Sequence, residues 1–416
     1  MERRGVSAQR FGWFRAAYAA SAYGTWLGFG AFPLIAITVL DCGPAEVAAL
    51  AATGRAVGAV AAVPIGPWVE FHRKRPVMVA TALARCVALV SVPAAYALGL
   101  LGFTQLLVVS VVVAASTIAF GAACGAYLKE VLPPEELLVA NGRLESTTWT
   151  ATLVGPPLGG MLTGVFGPVT AVLANTAGHL LSALGVVAVG GAEPRPERAP
   201  AQRMRAGELL AGWRHVLGHP VLRPLFLNAV VVNGLIMAAE PLLAVLLLGP
   251  LGFSPWQYGL AFAAPCVGGL VGSRLARRLV ARYGQRRVLL TAGAARVCWP
   301  LGLAFVRPGV GGLVLVIVVQ FGLVTCCAVF NPVLATCRLE HTGRDKVART
   351  LSAWSVSSSL TIAATTAAWG LLAAATGPRA AIGAAGVLLL ATPLLLPRRA
   401  GAAGRSGVRE EEAGAG

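Results

Sequence analysis

Lys and Arg in this chain fall on alternate connections between long apolar runs. One set of connections holds Arg3, Arg4, Arg10 and Arg15, then Arg73, Lys74 and Arg75, then Lys129 and Arg143. The same set continues through the basic stretches at 195–223, 274–287 and 338–349 and ends on Arg398, Arg399, Arg405 and Arg409. The intervening connections hold only Arg307 and Arg379. Short loops rich in Lys and Arg stay on the cytoplasmic side of a membrane, so the pattern predicts a multi-pass membrane protein with both termini cytoplasmic. Two termini on one side require an even number of spans.

Composition agrees. Of 416 residues 56% are hydrophobic and 12% charged, and the mean hydropathy is +0.73. Lipid can face that much apolar surface, whereas a soluble chain could not hide it. A net charge of +17 would point to nucleic acid in a soluble protein. Here the charge flanks membrane segments and suits an anionic inner leaflet, so the expected partner is the lipid bilayer and not nucleic acid. The eight cysteines lie within or at the ends of apolar runs. None has metal-ligand spacing with histidine, and they read as small buried hydrophobes, with no metal and no cofactor expected. The first apolar run continues past signal-peptide length and reads as a retained span.

A helical span needs about 20 residues. The first half offers spans near 13–39, 45–69, 76–99, 103–127, 143–165 and 168–190. The second offers 224–248, 255–279, 286–306, 311–335, 348–374 and 379–397. The predicted fold is an all-α membrane protein of twelve transmembrane helices in two six-helix bundles. The bundles occupy 1–191 and 223–400, with a cytoplasmic linker at 192–222 and a disordered tail at 401–416. In the linker, Leu209, Leu210, Trp213 and Leu217 share a helical face that Arg214 and His215 avoid. A short helix lying on the inner membrane surface is expected there. The halves also align with each other: Arg85 with Arg296 after 211 positions, and Gly167-Pro168 with Gly377-Pro378 after 210. Two parallel six-span repeats are the layout of transporters that rock one half against the other.

The chain resembles the major facilitator superfamily on two motifs. The first is Gly66-Pro67-Trp68-Val69-Glu70-Phe71-His72-Arg73-Lys74-Arg75 between spans two and three. The superfamily has a glycine, an acid four residues later and then a basic cluster here. The resemblance implies that Gly66 allows a close helix crossing and that Glu70, with Arg73, Lys74 and Arg75, helps hold an inner gate. Phe71 and Arg73 stand where the superfamily usually has a basic residue and a glycine. The second motif is Gly155-Pro156-Pro157-Leu158-Gly159-Gly160 in span five, similar to the end of a motif associated with drug:proton antiporters. Its prolines bend the helix, and Gly159 and Gly160 admit a close neighbour. The stretch 141–160 and the Cys42-Gly43-Pro44-Ala45 opening of span two look most like the bacterial branch of enterobactin and macrolide exporters. That branch commonly has Gly-Asp in span one where this chain has Gly24-Thr25.

Ionisable groups inside membrane spans are costly and are functional candidates by default. Glu240, on Ala238-Ala239-Glu240-Pro241 of span seven, is the leading proton-coupling candidate, and Asp41 at the outer end of span one is the other. Arg55, Arg85 and Arg296 are intramembrane cations. They serve either a positive cavity or interhelix hydrogen bonding. Arg55 and Glu240 sit at comparable depth, where they can pair. Trp26, Phe29, Asn228, Asn233 and Asn331 complete the expected substrate cavity, with Pro265 and Pro332 as expected helix breaks. His179 and Asn175 share a span-six face and read as packing residues. No Walker lysine loop exists, and the connections are too short to hold a soluble catalytic site. The resemblance implies a secondary active transporter in the cell (inner) membrane, a monomer that exports a small amphipathic substrate in exchange for protons. An importer of a small metabolite, a lipid flippase or a sensor of the same fold, and more remotely a membrane-embedded enzyme, are the alternatives.

Overall fold

The computed structural model describes residues 2–70, 72–131, 134–190, 206–342 and 346–396, and among them every regular element is helical. The first half contains α1 (Glu2–Leu27), α2 (Ala31–Thr38), α3 (Pro44–Glu70), α4 (Lys74–Ala97), α5 (Phe103–Val131), α6 (Pro134–Phe166) and α7 (Thr170–Ala188). A short helix, α8 (Ala206–Gly218), precedes the second half. There follow α9 (Leu222–Leu248), α10 (Pro255–Ala263), α11 (Cys266–Tyr283), α12 (Gln285–Ala295), α13 (Val310–Glu340), α14 (Val347–Thr376) and α15 (Pro378–Ala391). Ten units among the described residues are long and apolar enough to cross a membrane. The 27-residue α3 and 33-residue α6 run beside them and bring the count to the predicted twelve.

Three spans are interrupted, each for a local reason. Gly30 at φ 73 divides span one into α1 and α2, a left-handed conformation that favours glycine. Pro265 separates α10 from α11, as expected, because proline removes a backbone donor. Span nine passes from α12 into a 3-10 turn that begins at Pro300. Pro332 does not break its span: it lies inside the continuous α13.

The linker helix packs against the second half. Val216 of α8 is fully buried, in one core with Leu222, Leu225 and Phe330, while Leu217 is 43% exposed. Trp213 donates its indole N–H to Ser357 Oγ on α14 at 2.8 Å. The helix is docked on the second half. A protein groove satisfies the indole and hides Val216 together. Linker residues before Ala206 and the 401–416 tail lie outside the described residues.

The halves meet along α3 and α14 and along α6 and α10. At the arginine-poor end the cores interpenetrate: Val245 of α9 joins the first-half cluster around Ile35 and Leu89. In return Phe29 packs against the second-half cluster around Leu243 and Tyr258. At the arginine-rich end each core draws on its own half, one around Phe14 and Phe120, the other around Leu222 and Phe330. Correspondingly, α6 packs along α10 but barely touches α11, the continuation of the same span. The cleft between the halves is therefore closed at the arginine-poor end and splayed at the other.

Candidate functional site

An ion pair ties the two halves together across the cleft. Arg55 of α3 donates from Nη2 to Glu240 Oε2 of α9 at 3.1 Å, and the same nitrogen lies 3.5 Å from Met237 Sδ. Both side chains keep contact with open space, at 39% and 29% exposure. The pair stands between two recesses and lines both. One, of about 460 Å³, is walled by α9, α10, Pro265, the 3-10 turn at Pro300 and α13, and presents the amides of Asn233, Gln320 and Asn331 among apolar side chains. The other, of about 260 Å³, is walled by Phe29, Gly30 and Pro33 of span one, by α3, and by Tyr258. A mostly apolar space with a few convergent polar groups suits a small amphipathic molecule.

Aromatic rings close the site toward the arginine-poor end. Phe29 stacks on Tyr258 with centroids 6.3 Å apart and packs against Phe262 at 5.4 Å, and Trp26 lies 5.7 Å from Phe29. Gly30 makes room for this seal, since a Cβ there would stand 2.6 Å from the Tyr258 ring. The span-five motif works beside it. A side chain at Gly155 would meet Trp26, one at Gly159 the Leu27 backbone, and one at Gly160 the backbone of Pro255. The motif's small residues thus let α6 lie between α1 of its own half and α10 of the other. Proton uptake by Glu240 would cancel its charge and release Arg55, removing one tie between the halves.

A family model described as Major Facilitator Superfamily matches residues 16–337 and 241–414. The chain belongs to the Major Facilitator Superfamily. It is 32% identical over 243 residues to the "Multidrug efflux pump Tap" of Mycobacterium tuberculosis and of Mycobacterium bovis. That match takes in 54% of this chain and 56% of the pump, so the chain spans about half the length of the curated relatives it matches. The fold is similar to that of nucleoside transporter NupG, in a single-residue variant, with a TM-score of 0.72 at 11% identity, covering 94% of this chain and 99% of that one. A bacterial homologue of the human lysosomal transporter Spinster gives 0.69 at 15% identity, covering 94% and 95%.

Against the superfamily fold the predicted site residues divide into three groups. Arg55, Glu240, Phe29, Asn233 and Asn331 come together around the cavity, with Trp26 behind Phe29. Arg85, Arg296 and Asn228 do not: each is at most 1% exposed, inside its own half. Arg296 donates to Asn228 Oδ1 at 2.7 Å, and Arg85 donates to Ser21 Oγ at 3.4 Å, with His179 Nδ1 also 3.4 Å from that hydroxyl. These residues face neighbouring helices, and among the described residues none of α4, which carries Arg85, lines either recess. Asp41 sits in an exposed turn at φ 49, away from the pair. Gly66 and Glu70 fall in the last turns of α3, and their side chains lie outside the described residues. Arg75 donates to the carbonyls of Gly190 and Val187 at the end of α7, at 2.9 and 3.4 Å, and Lys74 donates to His72 O at 2.8 Å. Sequence reasoning missed Tyr258, Phe262, Met237 and Gln320. Gln320 carried a usable signal, being the one strongly polar side chain in the apolar run at 310–330.

Proposed function

We propose that this chain is a proton-coupled exporter of a small amphipathic compound, working by alternating access as a monomer in the cytoplasmic membrane with its arginine-rich end inside. The observation that carries the reading is the Arg55–Glu240 pair, a protonatable tie between the halves at the wall of the cavity. Closure at the arginine-poor end supports a resting state that takes substrate from the cytoplasm. The efflux-pump relative supports the direction, and the charge pattern supports the orientation. In the cycle, substrate enters from the splayed end, the halves rock, and a proton arriving at Glu240 from outside frees Arg55 and resets the carrier.

Inverted vesicles carrying the chain, energised to an acidic interior, test the direction. Labelled acidic, neutral and basic amphipaths are offered outside. At least one should accumulate several-fold over vesicles without the chain, and accumulation should collapse when the gradient is dissipated. Accumulation only under the reversed gradient would make the chain an importer.

A further inference from the structure

Two helix faces lead from the Arg55–Glu240 cavity to the arginine-rich end. On α1, Arg15, Ala19 and Tyr23 follow one another at one-turn intervals, and the same face continues through Trp26 to Phe29 and Gly30 at the cavity. With Arg143, Ser146 and Thr150 of α6 they bound a recess of about 480 Å³. Pro265, at the N-cap of α11, lines the cavity, and Gly269, Ser273 and Arg277 of α11 follow it down one face. That face looks across the cleft, because a Cβ on Gly269 would lie 3.8 Å from Trp149 of α6. Beyond it, Arg274, Arg277 and Arg278 line a second recess of about 550 Å³.

Five arginines therefore flank the route: Arg15, Arg143, Arg274, Arg277 and Arg278. All are exposed, and none meets a carboxylate within ion-pair distance among the described residues. Arginines that only set topology have no need to line a cleft, or to continue faces that end at a cavity whose own cation is Arg55. The planar guanidinium fork matches carboxylate, sulfonate and phosphate oxygens, and a cleft lined by one sign of charge raises the local concentration of the other.

We infer that the transported compound is an amphipathic organic anion, gathered by these five arginines and received by Arg55. This rests on the transport reading above and names its substrate class. The anion binds at Arg55 and leaves on the outer side before the proton reaches Glu240, so the two are carried in opposite strokes.

Binding to the purified full-length chain in phosphatidylcholine nanodiscs tests this, with empty nanodiscs as the blank. The probes are 1-naphthalenesulfonate, neutral 1-naphthalenemethanol and cationic 1-naphthylmethylammonium. The sulfonate should bind about tenfold tighter than the alcohol, with an advantage that shrinks in high salt. The triple variant Arg274→Gln, Arg277→Gln, Arg278→Gln and the double variant Arg15→Gln, Arg143→Gln should each erase most of that advantage. Unchanged binding of the alcohol shows that the variants remain folded. Equal affinity for the three probes, a preference for the cation, or sulfonate binding indifferent to both variants would overturn the inference. A further arm replaces part of the lipid with phosphatidylglycerol. Displacement of the sulfonate there would assign the arginines to lipid headgroups and overturn the substrate route. No gradient is used, so failure of vesicle uptake counts against transport and leaves the anion preference standing.

Discussion

Arg85 and Arg296 are buried cations handled the same way in both halves. Arg85 lies over the Phe120 ring at 4.6 Å and Arg296 over Phe330 at 3.7 Å, and the two phenylalanines, like the two arginines, are repeat mates. An aromatic face and one hydrogen bond stand in for a counterion. The polar partner differs: Asn228 at 2.7 Å in the second half, Ser21 at 3.4 Å in the first. A hydrogen bond to a charged group contributes about 1.5–3 kcal/mol, so Asn228→Ala should destabilise the protein by about that much. The longer contact predicts a smaller loss for Ser21→Ala. Thermal unfolding in detergent ranks the two, and equal midpoints would refute the assignment. The depth of both arginines was legible by counting residues from the charged loops at about 1.5 Å each. Which way they faced was not, because a rotation of half a turn moves a side chain from cavity to core without changing the hydropathy of its span. The Arg55–Glu240 pairing was within reach of the same count, since it needed only matched depth on two neighbouring spans.

At the scale of the element, α8 couples the linker to span seven through histidines. His215, His219 and His341 cluster at the arginine-rich end, with ring centroids 6.0 and 5.3 Å apart along the series. His219 Nδ1 accepts the backbone N–H groups of Val221 and Leu222 at 3.2 and 3.3 Å, capping the start of α9. Burial first, then His341 and His215, hold its proton affinity below the ordinary histidine range. The folded state thus favours neutral His219. Its contribution is present above the unfolded value of about 6.5 and is lost as pH falls below it toward the lowered native value. Relative to intrinsic rates, amide exchange at Val221 and Leu222 should accelerate between pH 7.5 and 5.5. In His219→Ala it should be fast throughout, and pH-independent protection in the wild type would refute the cap. The docking of α8 was hidden in the sequence because the face shared by Leu209, Leu210, Trp213 and Leu217 does not say what covers it; Trp213 and Val216 meet the second half.

The whole molecule is two helical bundles closed at one end, and the bundles themselves followed from the hydropathy runs and the alternation of charge. The seal was only partly legible: the span-five glycines announced a close approach, but Tyr258 and Phe262, which meet Phe29 across the cleft, looked like ordinary apolar residues until span eight was placed beside span one. The central claim is that Glu240 carries the proton whose movement resets the halves. Its most direct test is substrate-triggered proton release from energised inverted vesicles, followed with a pH-sensitive dye, for the wild type and for Glu240→Gln at equal abundance in the membrane. The account predicts release with the wild type and none with the variant, for the same compound. Release of equal size from Glu240→Gln would contradict it, and would move the coupling away from the Arg55–Glu240 pair.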